Sequence, residues 1–178
     1  MGETILVLGG TRAGKTRLAE RFAAEQPPVT YLATAVVDPA DQEMVARVAR
    51  HRASRPPEWT TREVGRDLEG AMAELVMREE SLLIDCVTLW ISNLMLGIDG
   101  AAPRSDEAIL EALDRSADLA KEGSARVVWV SNEVGSGVVP DNALARRFSD
   151  LQGWANQRLA ASSDSVFLCV AGLPMRIK

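Results

Sequence analysis

The chain has 178 residues, a length for one domain with a sizeable core, with 47 % hydrophobic and 25 % charged residues as in an ordinary soluble globular protein. Its net charge of −5 leaves no electrostatic footprint for DNA or RNA, and no apolar run approaches the length of a membrane span. Met1–Thr4 carries no basic, then apolar, leader pattern, and Cys86 and Cys169, each in or beside an apolar run, read as buried thiols rather than a disulfide, so a cytoplasmic protein is expected.

The first element is the apolar run Ile5–Leu8 (ILVL), the length of a buried strand. Gly9, Gly10, Thr11, Arg12, Ala13, Gly14, Lys15 and Thr16 follow at once, and Gly9, Gly14, Lys15 and Thr16 fit G-x-x-x-x-G-K-[ST], the P-loop. The spacing has a physical reason. Glycines permit φ > 0 and close approach of bare amides to a phosphate, and the following helix directs its positive N-terminus at the same place. In that arrangement Lys15 reaches the β- and γ-phosphates and Thr16 ligates Mg²⁺. The helix is expected, because Leu18, Ala19, Phe22 and Ala23 recur at helical spacing.

Val29–Ala33 reads as a second strand after Pro27 and Pro28. Asp38 and Pro39 suit the N-cap and first position of a helix that carries Met44, Val45, Val48 and Ala49 and ends near Arg55, before Pro56. Trp59–Val64 reads as a short strand, and Arg66–Arg78 as a helix through Leu68, Met72, Leu75 and Val76. Ser81–Asp85 is a buried strand that ends in an acid, Val87–Leu96 an apolar helix, and the stretch from Gly97 to Ser105 a loop. Asp106–Lys121 is helical, Arg126–Val130 a strand, and Asp141–Ala161 a long helix with Leu144, Phe148, Leu151 and Leu159 as core positions. Ser165–Val170 is a further strand. Leu173–Ile177 is expected as an antiparallel edge strand, since Pro174 suits an edge. Trp59, Trp90, Trp129 and Trp154 are read mainly as core.

Apolar strands alternating with helices predict an α/β fold of the P-loop NTPase type, a mostly parallel sheet with helices on both faces. Ligands bind such sheets at the carboxyl ends of the strands, which directs attention to Gly9–Thr16, Thr34, Asp85 and Ser131–Gly137. Asp85 is placed to hold the Mg²⁺ shell; as a plain helix N-cap it would serve the run that follows. His51 is the one histidine of the chain, and Arg47, His51 and Arg55 recur at four-residue spacing on one helical face. Guanidinium forks suit phosphate. A packing histidine on a solvated face fits the spacing as well. Ser131–Pro140 (SNEVGSGVVP) reads either as a site loop or as a plain connection.

Together these residues resemble the bifunctional adenosylcobinamide kinase / adenosylcobinamide-phosphate guanylyltransferase family of cobalamin biosynthesis, almost end to end. The stretch from Gly9 to Thr16 is similar to the family's Gly-Gly-x-Arg-Ser-Gly-Lys-Ser loop, with Ala13 and Thr16 in place of serines. Tyr31–Thr34 is similar to its second strand, and Asp85–Thr88 to its acidic strand end. Glu43, Met44, Arg47, His51, Arg52, Arg55, Pro56 and Trp59 fall on its histidine helix, with His51 on the guanylylated histidine. Asn132, Glu133, Val134, Gly135, Gly137, Val139 and Pro140 match a characteristic segment, and Glu63 matches an acid near the nucleotide.

The resemblance implies that ATP or GTP phosphorylates adenosylcobinamide. GMP then passes from GTP through His51 to adenosylcobinamide phosphate, giving adenosylcobinamide-GDP and pyrophosphate. It also implies nucleotide contacts at Thr34, Arg52, Arg55 and Glu63 and a homotrimer. Two other readings remain open: a single-function P-loop kinase of a small hydroxylated metabolite, and a GTP-binding regulatory module. The second is weakened by the lack of an Asn-Lys-x-Asp guanine signature.

Overall fold

The computed structural model describes residues 2–53, 55–98 and 100–178, apart from the side chain of Arg47. Its elements in chain order are β1 (Thr4–Gly9), α1 (Lys15–Ala24), β2 (Val29–Ala33), α2 (Gln42–Ala53), β3 (Thr60–Glu63), α3 (Leu68–Leu75), β4 (Ser81–Asp85), α4 (Val87–Leu96), α5 (Asp106–Glu122), β5 (Arg126–Asn132), α6 (Ala143–Ser162), β6 (Ser165–Val170) and β7 (Leu173–Arg176). The strands form one sheet in the order β3-β2-β4-β5-β1-β6-β7. All neighbours are parallel except β6 and β7, which are antiparallel with Pro174 opposite Cys169 on the edge.

The central strands are apolar on both faces, as a covered parallel sheet requires. Because side chains alternate along a strand, they divide into two layers. Leu6, Leu32, Leu82, Ile84, Val127 and Trp129 meet residues of α3, α4, α5 and α6, among them Met72, Trp90, Ile91, Leu113, Leu151 and Leu159. Ile5, Val7, Tyr31, Leu83, Val128 and Val130 meet Leu18, Ala19 and Ala23 of α1. Both faces are therefore covered, but unequally. None of the described residues of α2 is buried, and its apolar Met44 and Val48 face a cleft instead of the core.

Several boundaries differ from expectation for local reasons. The second helix starts at Gln42, not at Asp38–Pro39. Asp38 accepts from the Ala40 amide at 2.8 Å in a turn of its own, and Asp41 takes the capping role through the Met44 amide at 3.0 Å. Its predicted end runs into residue 54, outside the described residues. Helix α3 is shorter than Arg66–Arg78, because Asp67 caps it through the Gly70 amide at 3.1 Å. Asn142, rather than Asp141, caps α6 through the Ala145 amide at 2.7 Å. Leu144 and Trp154 are not core residues. They are 52 % and 47 % exposed: Leu144 shares the helical face of buried Leu151 but sits in the first turn of α6, and Trp154 is rotated off that face. Trp90 and Trp129 are buried, Trp59 packs partly buried against the α1 layer, and both cysteines are free and buried. Among the described residues no helix is long and apolar enough to cross a membrane.

Candidate active site

The parallel register brings the carboxyl ends of five strands to one edge: Gly9 lies beside Asn132, and Ala33 beside both Asp85 and Glu63. The chain leaves β1 towards β2 on one side while β6 flanks it on the other, so the end of β1 is a topological switch point where a crevice opens. The glycine-rich loop fills that position. Gly9 and Gly14 have φ of +152° and +99°, and a Cβ on Gly9 would lie 2.6 Å from the Cys169 carbonyl oxygen, so only glycine fits. Gly14 caps α1 without a side chain, which leaves the first amides of that helix to an anion. Lys15, mostly buried, folds its Nζ back to the Gly10 carbonyl at 2.7 Å.

Beside the loop, Oδ2 of Asp85 accepts from the Tyr31 hydroxyl at 2.5 Å and from the Thr16 hydroxyl at 3.4 Å. Asp85 does not cap α4; Cys86 holds that position. The hydroxyl of buried Thr34 brackets this turn, donating to the Cys86 carbonyl at 2.8 Å and accepting from the Cys86 amide at 2.9 Å, while Asn93 Nδ2 donates to the Thr34 carbonyl at 2.7 Å. Thr34 thus braces the strand end from behind. The Thr16 hydroxyl and the Asp85 carboxylate are hard oxygen donors close together, a set that fits Mg²⁺. Among the described residues no group of three His, Cys, Asp or Glu could hold a metal unaided, so phosphate oxygens and water would have to complete the shell.

One cleft of about 930 Å³ is lined by Thr11, Arg12, Ala13, Gly14, Lys15 and Thr16 on the loop side, by His51, Arg52 and Arg55 from α2 and its end, and by Glu63 and Asp85 from the strands. Gly9, Gly10 and Thr34, also predicted to meet the nucleotide, are not among the lining residues. His51 is exposed on α2, whereas the Arg47 side chain predicted to share its face lies outside the description. Arg52 and Glu63 face each other at 3.8 Å, an exposed pair of little energetic weight. Arg55 stacks its guanidinium 3.3 Å above the Tyr31 ring centroid and donates to the Thr61 hydroxyl at 3.2 Å.

Charge is concentrated here. Burial pushes the Glu20 carboxyl up; repulsion from Asp85 adds to it, and Arg55 opposes it. Burial, and then the Asp85 charge, push the Cys86 thiol up to about 12, so this cleft cysteine stays protonated near neutrality. The same causes raise the Tyr31 hydroxyl above its ordinary value.

Of the segment after Val130, Asn132 reaches the cleft, and the stretch from Val134 to Pro140 lines a separate depression beside α6. Strand β5 continues to Asn132, which lines the cleft. The Asn132 amide donates to the Thr88 hydroxyl at 2.8 Å, its carbonyl accepts from Asn156 at 3.0 Å, and the Glu133 amide donates to the Gly9 carbonyl at 3.1 Å. Behind it Ser131, Gln152 and Asn156 form a buried network with distances of 2.7–2.9 Å.

Sequence reasoning missed Tyr31 and the apolar wall of Met44, Val48 and Leu89. Tyr31 left a signal, being the one tyrosine of the chain and set in a buried strand.

Known proteins resemble this chain over nearly its whole length. A family model described as cobinamide kinase / cobinamide phosphate guanyltransferase matches residues 5–177. The bifunctional adenosylcobalamin biosynthesis protein CobU of Salmonella typhimurium is 39 % identical over 181 residues, covering 98 % of this chain and 99 % of that protein. CobP of Pseudomonas aeruginosa, likewise described as a bifunctional adenosylcobalamin biosynthesis protein, is 44 % identical over 175 residues, covering 97 % and 96 %. CobU of Escherichia coli is 37 % identical over 182 residues. Similar solved structures include the P4 protein of bacteriophage phi6 in complex with ADP, with a TM-score of 0.51 at 15 % identity, covering 97 % of this chain and 54 % of that one. The assembled ATPase EscN of the enteropathogenic E. coli type III secretion system has a TM-score of 0.59 at 11 % identity, covering 96 % and 43 %. The chain spans about half the length of these two structures, and at such identity the likeness is one of fold.

Proposed function

From a chain that belongs to the cobinamide kinase / cobinamide phosphate guanyltransferase family, transferases of cobalamin biosynthesis, we propose that a single cleft carries out both reactions in turn. In the first, the hydroxyl of adenosylcobinamide attacks the γ-phosphorus of ATP or GTP and the β–γ bridging oxygen leaves with the nucleoside diphosphate. In the second, an imidazole nitrogen of His51 attacks the α-phosphorus of GTP. The N–P bond forms as the bond to the α–β bridging oxygen breaks, and pyrophosphate leaves. A phosphate oxygen of adenosylcobinamide phosphate then attacks the same phosphorus, expels the imidazole and yields adenosylcobinamide-GDP. Covalent catalysis of this kind divides one displacement into two easier ones.

The observation that carries the reading is that His51 lines the same cleft as the phosphate loop and Asp85. In it, Lys15 and the α1 amides hold the β- and γ-phosphates, Arg12, Arg52 and Arg55 supply positive charge, and Glu63 accepts from the base or ribose. Mg²⁺, held by Thr16 and Asp85, would neutralise phosphate charge. The same proposal includes a homotrimer, tested by sedimentation, and the cytoplasm, where thiols such as Cys86 and Cys169 stay reduced.

Intact-protein mass spectrometry after incubation with GTP and Mg²⁺ tests the mechanism. The wild type gains the mass of GMP on His51, and the adduct is labile in acid and stable in base, as a phosphoramidate. His51→Ala loses the label and guanylyl transfer but keeps most kinase activity, because phosphoryl transfer to a bound hydroxyl is mostly positioning and charge stabilisation. A wild type without adduct under turnover conditions, or a labelled His51→Ala variant, overturns it.

A further inference from the structure

Tyr31 joins two parts of the cleft that are distant in sequence. Its ring is buried in the α1 layer, while its hydroxyl reaches Oδ2 of Asp85 at 2.5 Å, the oxygen that also accepts from Thr16. Arg55 lies on its ring with 3.3 Å from Cζ to the centroid and is tied to β3 by the Thr61 hydroxyl at 3.2 Å. Arg55 follows His51 by four residues and lies two residues beyond the last residue of α2. α2 has no buried residue among those described.

A buried tyrosine needs a partner for its hydroxyl. That the partner is the Asp85 carboxylate is informative. A carboxylate rotates about a broad torsional profile, whereas chemistry needs its groups held within about 10–20°. Two donors on Oδ2 fix that rotation and turn Oδ1 in a defined direction. The ring, meanwhile, is the surface on which the end of α2 rests.

We infer that Tyr31 is a positioning residue for both transfers: its hydroxyl orients Asp85, and its ring seats Arg55 and so holds the His51 helix against the cleft. The inference rests on the function proposed above, although each half can be tested without it.

Tyr31→Phe removes the hydroxyl and keeps the ring; Tyr31→Leu removes both. Two readouts separate their effects: binding of a fluorescent GTP analogue across a Mg²⁺ titration, and hydrogen exchange through residues 42–53 without nucleotide. Tyr31→Phe raises the Mg²⁺ concentration for half-maximal binding about tenfold, a loss of about 1.4 kcal/mol, and leaves α2 exchange unchanged. Tyr31→Leu raises it as much and also speeds α2 exchange. Arg55→Gln speeds α2 exchange in the same way, and serves where Tyr31→Leu does not fold. Wild-type Mg²⁺ dependence in Tyr31→Phe overturns the hydroxyl's role. Unchanged α2 exchange in Tyr31→Leu or, where that variant does not fold, in Arg55→Gln overturns the ring's role. A shifted Mg²⁺ dependence in Tyr31→Phe together with an unlabelled His51 in the wild type sustains the inference about Asp85 and sinks the guanylylation reading instead.

Discussion

Gly14 and Gly172 stand back to back, so close that a Cβ on Gly14 would lie 3.2 Å from the Cα of Gly172. The Gly172 amide donates to the Ala13 carbonyl at 3.0 Å, and both glycines have positive φ, +99° and +83°. The phosphate loop thus leans on the turn between β6 and β7, at the far end of the chain. Gly14→Ala meets both the strain of that φ, about 1–2 kcal/mol, and the Gly172 backbone. It is expected to weaken nucleotide binding more than tenfold. Gly172→Ala meets only the Arg17 guanidinium at 3.6 Å and is expected to lower stability by about the strain alone, with a smaller loss of binding. Nucleotide titration beside thermal melting separates the two.

Lys15 is expected to be indispensable to both reactions. Its Nζ rests on the Gly10 carbonyl at 2.7 Å, inside the loop proposed to cradle phosphate. Lys15→Ala therefore abolishes kinase and guanylyl transfer together. Near-normal guanylyl transfer in a variant without kinase activity would require a second nucleotide site.

Asp85→Asn separates chemistry from folding. Cys86 takes the N-terminal position of α4, and Thr34 brackets the turn, so the Asp85 charge is not needed to start that helix. An asparagine carbonyl can still accept from Tyr31. The expected outcome is a melting temperature within a few degrees of wild type and a strongly raised Mg²⁺ requirement. Severe unfolding with unchanged Mg²⁺ dependence would count against the metal role.

Much of this was legible beforehand, for a physical reason. The phosphate loop is local: its glycines, lysine and threonine do their work within eight residues of chain. The central strands were legible because both faces are buried, and the edge strand because of Pro174. What escaped depends on contacts between distant segments. Tyr31 and Asp85 are 54 residues apart, and only the parallel pairing of β2 with β4 brings them together. Periodicity placed Met44 and Val48 on one side of α2, and Leu144 with the core side of α6. It could not say whether a core, a cleft or solvent lies opposite. Thr34 was assigned by its place at a strand end, but its hydroxyl is spent on Cys86.

Asp164 is one contributor to stability above acid pH. Asp164 accepts from the Thr4 amide at 2.8 Å and the Thr4 hydroxyl at 2.7 Å, tying the start of β1 to the entry of β6, and these bonds hold its carboxyl below the usual carboxylate range. A depressed folded-state value stabilises the protein above the unfolded value, near 3.9, and that stability is lost as pH falls through the folded one. Asp164→Ala is expected to cost about 1 kcal/mol at pH 7. The gap to wild type narrows below about pH 4. Urea unfolding at several pH values measures it; a gap that stays constant into acid would refute the assignment.

Helix α2 packs on the cleft and not on the core, and this has a thermodynamic consequence. A twelve-residue helix is marginal in water by itself. With no buried residue among those described, α2 draws its order from its neighbours and from whatever fills the space beside Met44 and Val48. Ligand binding and local folding are then one linked equilibrium. The measured affinity is the contact free energy less the cost of ordering α2, and the heat capacity falls by more than the area of the ligand accounts for. His51 rides on this helix, so hydrogen exchange through residues 42–53 is expected to slow when nucleotide fills the cleft.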